Sequence, residues 1–213
     1  MNSIFVKIPR WIQRIFNKQD WSIKTEGKEI YLTFDDGPTP EITEWVLDQL
    51  ALYNAKATFF CIGKNIEKHP EILRKIIAEE HGIGNHTYQH LQGWKTKTNE
   101  YLNDILKTEK LLRKHPLKNS VKLFRPPYGK IKRAQVRKLL SKKYKVVMWE
   151  VLSADYDHSI STKKCLENIL KNTSSGSIVV FHDSIKAKKN LQFALPRTLE
   201  HFSKQGYIFK SIS

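Results

Sequence analysis

The sequence predicts an α/β fold in which a parallel sheet is built from strands joined by helical crossovers. From residue 29 onward, short apolar segments typical of strands alternate with longer amphipathic segments typical of helices. This alternation favours β-α-β units. The chain has 213 residues, of which 40% are hydrophobic and 27% charged, so it is long enough for one well-formed core and has an ordinary globular composition.

Seven segments have the composition of strands. Residues 29–34 alternate apolar and polar side chains and end at two acids. Residues 57–62 form a continuous apolar run, which is typical of a strand buried on both faces. The other strands are predicted over residues 82–85, 121–124, 145–149, 178–181 and 207–209.

Amphipathic helices are predicted between these strands. Thr39 is a plausible N-cap for the first, with Pro40 at its first helical position and an apolar face that includes Val46 and Leu50. The other helices are predicted over residues 70–80, 99–114, 131–142, 161–172 and 191–204. Because no linker rich in proline, glycine or serine interrupts the pattern, we predict a single domain over residues 20–213.

Residues 1–19 are predicted to form a short amphipathic helical extension. Its apolar side carries Trp11, Ile12, Ile15 and Phe16. Its polar side carries Arg10, Gln13, Arg14 and Lys18. We favour an interpretation in which the apolar side packs against the domain, as most amphipathic helices do. The alternative is a basic helix that contacts an anionic membrane at its surface.

Composition excludes several classes of protein. No apolar run approaches the roughly 20 residues of a membrane-spanning helix, and the two cysteines cannot form a disulfide framework. The basic residues near the N-terminus leave no continuous apolar segment for a secretory signal. We therefore expect, by default, a cytoplasmic or peripheral membrane location. The net charge of +16 favours anionic partners.

Polar residues cluster where the predicted strands end. They are Asp35, Asp36, His86, His90, Arg125, Asp155, His182 and Asp183. In barrel-like folds the carboxyl ends of the strands meet on one face, where catalytic groups gather. We therefore expect these side chains to lie close together.

His86 and His90 are separated by three residues, so in a helical turn both imidazoles would lie on one face, where they can hold one metal ion. Two surface histidines are the alternative for this spacing taken alone. Asp35 and Asp36 end the first strand and point to different sides, so that one acid can bind metal and the other can take a proton. An Asp-His-His set leaves open positions for water and substrate, which suits zinc or another divalent first-row ion.

Two further residues have roles in this hypothesis. Arg125 is a candidate cation to keep a neighbouring carboxylate ionised. His182 ends an apolar strand, and with Asp155 as its partner it would serve as a general acid. A core histidine bonded to the backbone is the alternative for His182.

Five segments form a recognisable set, namely TFDDGP (33–38), NHTYQH (85–90), RPPYG (125–129), the Asp155-Tyr156 pair, and VFHD (180–183). In their order and spacing they resemble the NodB-like polysaccharide deacetylases, carbohydrate esterase family 4. The resemblance covers roughly residues 29–210. It implies a distorted (β/α)7 barrel that hydrolyses N- or O-acetyl groups of sugars with one divalent metal. Zinc is the expected ion, with Co²⁺, Ni²⁺ or Mn²⁺ as alternatives.

The resemblance also implies roles for single residues. Asp36, His86 and His90 would be the metal ligands. Asp35 would be the general base, paired with Arg125.

The backbone N–H of Tyr128 would help to stabilise the negatively charged oxygen that forms on the acetyl carbonyl. His182 would be the general acid and Asp155 would tune it. Three positions depart from the usual pattern, namely Gln89, Tyr156 and Val180. They put the substrate preference in doubt, but they remove no catalytic group.

Residues 107–145 contain 15 basic residues and a single acid, Glu109. An anionic polymer partner is one interpretation, but we favour a solvated lysine-rich helix surface, because no nucleic-acid motif accompanies the charges. We expect an acetylated glycan as substrate, no specific nucleic acid, and a monomer. The alternatives are a silent carbohydrate-binding homologue, a related barrel hydrolase acting on another C–N bond, and a metal-dependent phosphodiesterase.

Overall fold

A computed structural model describes residues 5–116 and 121–212. Residues 1–4 of the predicted extension and Lys118 of the basic region lie outside the described residues. The strands in this part of the chain are β1 Glu29–Asp35, β2 Thr58–Cys61, β3 Gly82–Asn85, β4 Lys122–Phe124, β5 Tyr144–Val146, β6 Val151–Leu152, β7 Ile178–His182 and β8 Ile208–Phe209. The α-helices are α1 Arg10–Ile15, α2 Ile42–Ala51, α3 Gly63–Lys68, α4 Pro70–Ala78, α5 Thr98–Leu112, α6 Arg133–Ser141, α7 Thr162–Leu170 and α8 Lys188–Lys204.

The strands form one curled parallel sheet in the order β5-β4-β3-β2-β1-β7-β6, and β8 pairs with the beginning of β1. Within this sheet, Asp35 at the end of β1 lies beside His182 at the end of β7. Helices connect successive strands except between β5 and β6. The predicted α/β fold, a distorted (β/α)7 barrel, is confirmed.

The fifth predicted strand, residues 145–149, is wrong in its extent. The chain leaves the sheet after β5 at one edge, and residues 147–150 cross to the opposite edge, where β6 pairs with β7. Val146, Val147 and Met148 are all buried, so the apolar run continues from β5 into the crossing, and periodicity alone could not show where the strand ends. The seven predicted strands therefore included β8 and missed β6.

The sheet packs its largest core against α2, α4, α7 and α8. At its centre the ring of Phe34 stacks between those of Phe59 and Phe181, with centroid distances of 5.0 and 5.9 Å. All four residues of β2 are buried, as the continuous apolar run predicted. This packing fixes β1, β2 and β7, whose carboxyl ends carry the site.

Helix α2 begins later than predicted. The backbone N–H of Thr39 donates to the hydroxyl of Thr43 at 2.7 Å, and Glu41 adopts a positive φ of 63° immediately before the helix. Thr39 is therefore part of the preceding turn and not the N-cap.

The N-terminal segment lies across the seam between the edge strands β5 and β6. The backbone N–H of Leu152 donates to Val6 at 2.8 Å, and the N–H of Ile8 donates to Glu150 at 2.9 Å. After α1, Asp20 forms a bridge to Val147. The boundary between residues 19 and 20 stays a prediction.

The favoured interpretation of the N-terminal helix was wrong. Its apolar side does not pack on the domain, because Trp11 is 60% exposed, Ile15 55% and Phe16 37%. Only Ile12 of the predicted apolar set is half-buried.

Candidate active site

The predicted site residues come together at the carboxyl ends of the strands. A cavity of about 550 Å³ opens there. Six of them line it, namely Asp35, Asp36, His86, His90, Tyr128 and His182. The other two, Arg125 and Asp155, are fully buried and hydrogen-bonded to cavity residues.

Three ligand atoms converge on one point of the cavity. Oδ1 of Asp36 lies 3.1 Å from Nε2 of His90 and 3.7 Å from Nε2 of His86. This carboxylate oxygen is buried, and no described residue donates a well-oriented hydrogen bond to it. A buried carboxylate oxygen that faces two imidazole nitrogens fits a divalent metal.

The protonation of this cluster also suits a metal site. Nδ1 of His86 lies 2.8 Å from the carbonyl oxygen of Arg125, which can only accept, so Nδ1 carries the proton and Nε2 offers its lone pair. Burial lowers the pKa of His86 to about 4, which keeps the ring neutral. Burial alone would raise the pKa of Asp36, but the surrounding histidines bring it well below its usual range, so the acid is ionised.

The histidines do not share a helical turn, which corrects the prediction. They lie in a loop after β3 in which Thr87 and His90 have positive φ angles of 64° and 58°. Asp104 on α5 holds this loop by accepting hydrogen bonds from the N–H groups of Tyr88 at 2.7 Å and Gln89 at 3.1 Å. The sequence analysis missed Asp104, although its position on the apolar face of a predicted helix marked it as a buried acid.

Asp36 is presented by a turn that a second buried acid fixes. Its φ is 81°, and the N–H of the following Gly37 donates to Asp183 at 3.0 Å. A Cβ at Gly37 would lie only 2.0 Å from Asp183, so the close approach requires glycine. Asp183 also accepts from the hydroxyl of Thr43, and thus joins the turn to α2. Burial and the nearby Asp36 raise the pKa of Asp183 to about 8.

Asp35 pairs with Arg125 and is not one of the three candidate metal ligands. The guanidinium donates to Asp35 at 2.7 Å and, from the same nitrogen, to the hydroxyl of Thr33 at 2.7 Å. Its other nitrogens donate to the carbonyl oxygens of Val147 at 3.3 Å and Met148 at 2.7 Å. Arg125 therefore connects the free carboxylate to the segment that crosses the seam.

The half-buried His182 and the fully buried Asp155 form a second pair. Asp155 accepts hydrogen bonds from Nδ1 of His182 at 2.7 Å and from the backbone N–H of His182 at 2.8 Å. Nε2 of His182 takes no part in these two bonds. The ring of Tyr156 contacts that of His182 edge-on at 4.9 Å. Burial alone would lower the pKa of His182, but Asp155, with smaller contributions from Asp36 and Asp35, raises it to about 9. Asp155 follows β6, not the predicted fifth strand.

Tyr128 lies in a tight turn at the cavity mouth. Its φ is 60°, and its ring, 59% exposed, lies 4.7 Å from that of His90. Nine described non-glycine residues have positive φ, and five of them surround the site, namely Asp36, Thr87, His90, Tyr128 and Ala154. Strained backbone of this kind concentrates at functional sites.

Comparison with known proteins shows which protein family the chain matches. Residues 22–147 match the polysaccharide deacetylase family. A peptidoglycan-N-acetylglucosamine deacetylase of Bacillus cereus is 40% identical over 156 residues, which cover 73% of this chain but only 56% of that protein. A second Bacillus cereus protein of the same description is 36% identical over 91% of this chain and 90% of its own length.

The fold is similar over nearly the whole chain to a solved structure, the Bc1960 peptidoglycan N-acetylglucosamine deacetylase in complex with 4-naphthalen-1-yl-N-oxidanyl-benzamide. The TM-score is 0.87 at 33% identity, and the similarity covers 96% of this chain and 95% of that one. The family match spans more than half of the sequence, and the similarity of fold agrees with it. The chain belongs to the polysaccharide deacetylase family.

Proposed function

We propose that this chain is a metal-dependent hydrolase that removes N-acetyl groups from amino sugars in an oligo- or polysaccharide of the peptidoglycan type, with residues 20–213 as its catalytic domain. One observation carries the proposal. A three-ligand cluster, a separate carboxylate paired with a buried arginine, and a histidine clasped by a buried acid all meet in one cavity. The names of the similar proteins support an N-acetylated glucosamine unit.

Asp36, His86 and His90 would hold the metal. When bound, a divalent ion there supplies Lewis acidity toward the acetyl carbonyl and toward water. Asp35, which is not part of this ligand set, takes a proton from the attacking water. Arg125 fixes the orientation of that carboxylate through its 2.7 Å hydrogen bond.

His182 protonates the leaving nitrogen, because an amine leaves only as a neutral group. Asp155 holds Nδ1 of the imidazole in a hydrogen bond, so that Nε2 is the nitrogen available to the cavity. The backbone N–H of Tyr128 stabilises the developing oxyanion. The buried side chains of Val180 and Leu152 provide an apolar wall for the acetyl methyl group.

Chelation tests the proposal directly. We expect the purified chain to release acetate from N-acetylated chitooligosaccharides or peptidoglycan, to lose this activity after treatment with EDTA, and to regain it with Zn²⁺, Co²⁺, Ni²⁺ or Mn²⁺. O-acetylated sugars serve as the comparison for ester cleavage. Metal binding without acetate release from any of these substrates would support a silent homologue. Acetate release that resists chelation would reject the metal site.

The pKa of His182 predicts how the rate depends on pH. Since the general acid must be protonated, kcat should fall as pH rises through a value near or below 9, lower where a bound ion neutralises Asp36. Asp155→Asn removes the main cause that raises this pKa, so its alkaline limb should move to lower pH. Asp157→Asn changes a half-buried acid two residues away in the same chemical way; it is the matched control and should leave the limb in place. An unmoved limb in Asp155→Asn would show that His182 is not the group titrating.

A further inference from the structure

Helix α1 presents an outward face that is half cationic and half apolar. At about 100° per residue, Arg10 and Arg14 form one stripe and Trp11 and Ile15 the stripe beside it. All four side chains are exposed, whereas Ile12 and Gln13, on the opposite side of the helix, are half-buried. The exposed arc is therefore an ordered surface of two adjoining stripes.

This surface is held rigidly on the domain. Before α1, residues 6–8 pair with residues 150–152, and after it Asp20 exchanges backbone hydrogen bonds with residues 146–148. Gln13 donates to the carbonyl oxygen of Ile8 at 3.0 Å, and the indole of Trp21 donates to that of Phe16 at 3.3 Å. The exposure of Trp11 and Ile15 is thus fixed by the fold.

The segment that contains α1 carries charge of one sign, and the first acid after it, Asp20, shares a surface pocket with Arg10 and Arg14 but pairs with Lys145 at 4.0 Å. Residues 1–19 contain four basic residues and no acid. Within the described residues, no carboxylate lies within 4.0 Å of the side-chain nitrogens of Arg10, Arg14 or Lys18, although Lys7 pairs with Glu150. Phe5, 49% exposed, adds a further apolar side chain just before the helix.

We propose that α1 docks this protein on an anionic phospholipid surface. Basic side chains extend to the lipid headgroups while adjacent aromatic and aliphatic side chains enter the boundary with the acyl chains. An anionic polysaccharide would pair with the charges and stack a sugar ring on Trp11, but it offers no apolar phase for the aliphatic side chain of Ile15. A second copy of the chain would cover those two side chains but bring Arg10 and Arg14 of both copies together.

Docking would also place lipid beside the catalytic cavity, since Phe5 and Ile8 line it. No described helix is long or apolar enough to span a bilayer, so α1 would lie on the surface. The docking surface goes beyond the proposed deacetylation, and its test needs no turnover.

Sedimentation of the full chain with vesicles tests the proposal. We expect binding to phosphatidylcholine vesicles that contain phosphatidylglycerol and little binding to phosphatidylcholine alone. Arg10→Gln/Arg14→Gln/Lys18→Gln should weaken binding by roughly fivefold for each charge removed. Trp11→Ser/Ile15→Ser should weaken it about tenfold while leaving acetate release from soluble chitooligosaccharides unchanged.

Two matched controls separate a docking face from general charge or stickiness. Arg133→Gln/Arg137→Gln/Lys142→Gln removes three exposed charges on and just after α6, and Leu52→Ser removes an apolar side chain that is 74% exposed. Both should bind vesicles as the unaltered chain does. The proposal would be overturned if the α1 and α6 charge variants lost vesicle binding equally, or if the unaltered chain bound neutral vesicles as well as anionic ones. It would also be overturned if light scattering showed a dimer that Trp11→Ser/Ile15→Ser dissociates.

Discussion

Asp35→Asn is expected to abolish nearly all turnover while the chain still binds its metal. An amide has the shape of the carboxylate but cannot take a proton from water, and general base catalysis contributes about 10²–10⁴-fold to a rate. Asp35 lies outside the cluster of Asp36, His86 and His90, so the ligands remain. The measurements are kcat by acetate release and metal content by mass spectrometry after loading with zinc.

Asp36→Asn is the matched comparison, because it changes the neighbouring acid in the same chemical way. It removes the ionised oxygen that faces both histidines and should lower metal content together with activity. Retention of more than about a tenth of kcat in Asp35→Asn would contradict a base contribution of the usual size. Loss of metal in Asp35→Asn, with retention in Asp36→Asn, would exchange the two roles.

The sequence predicted the parts of this site that follow from local patterns. Apolar runs that end in polar residues located Asp35 and His182 at strand ends on one face of the fold, and the structure adds that β1 and β7 are neighbours whose register places the two residues side by side. The separation of Asp35 from Asp36 was expected from the strand geometry. The predicted chemical roles of these residues stay predictions.

Other features depend on contacts between distant segments and could not be predicted from local patterns. The loop from His86 to His90 has its shape because Asp104, on another element, accepts its N–H groups. The crossing begins with Val147 and Met148, which are buried and apolar like the residues of a strand, so the sequence extended the fifth strand into it. For α1, periodicity identified the two sides of the helix but not which of them meets the domain.

Arg125→Met is expected to lower the free energy of unfolding by about 3–5 kcal/mol, which is the usual cost of leaving one member of a buried ion pair without its partner. Methionine fills much of the same volume, so the loss is electrostatic more than steric. The change leaves the carboxylate of Asp35 buried and unpaired, and removes the donors to the carbonyl oxygens of Val147 and Met148. Chemical denaturation measures it, with the exposed Arg137→Met as control, expected within about 0.5 kcal/mol of the unaltered chain.

The double variant Asp35→Asn/Arg125→Met separates the ion pair from the carbonyl contacts. With no charge left at either position, its destabilisation should be smaller than the sum of the two single variants by about 1–3 kcal/mol. The remaining deficit belongs to the carbonyl groups of the crossing segment, which the change at Asp35 alone does not touch. Strict additivity would mean that Arg125 serves the crossing alone. The double variant should lose less stability than the two single variants together, yet it should stay inactive, because the amide that replaces the carboxylate cannot accept a proton. Stability and catalysis at this pair are thereby measured separately.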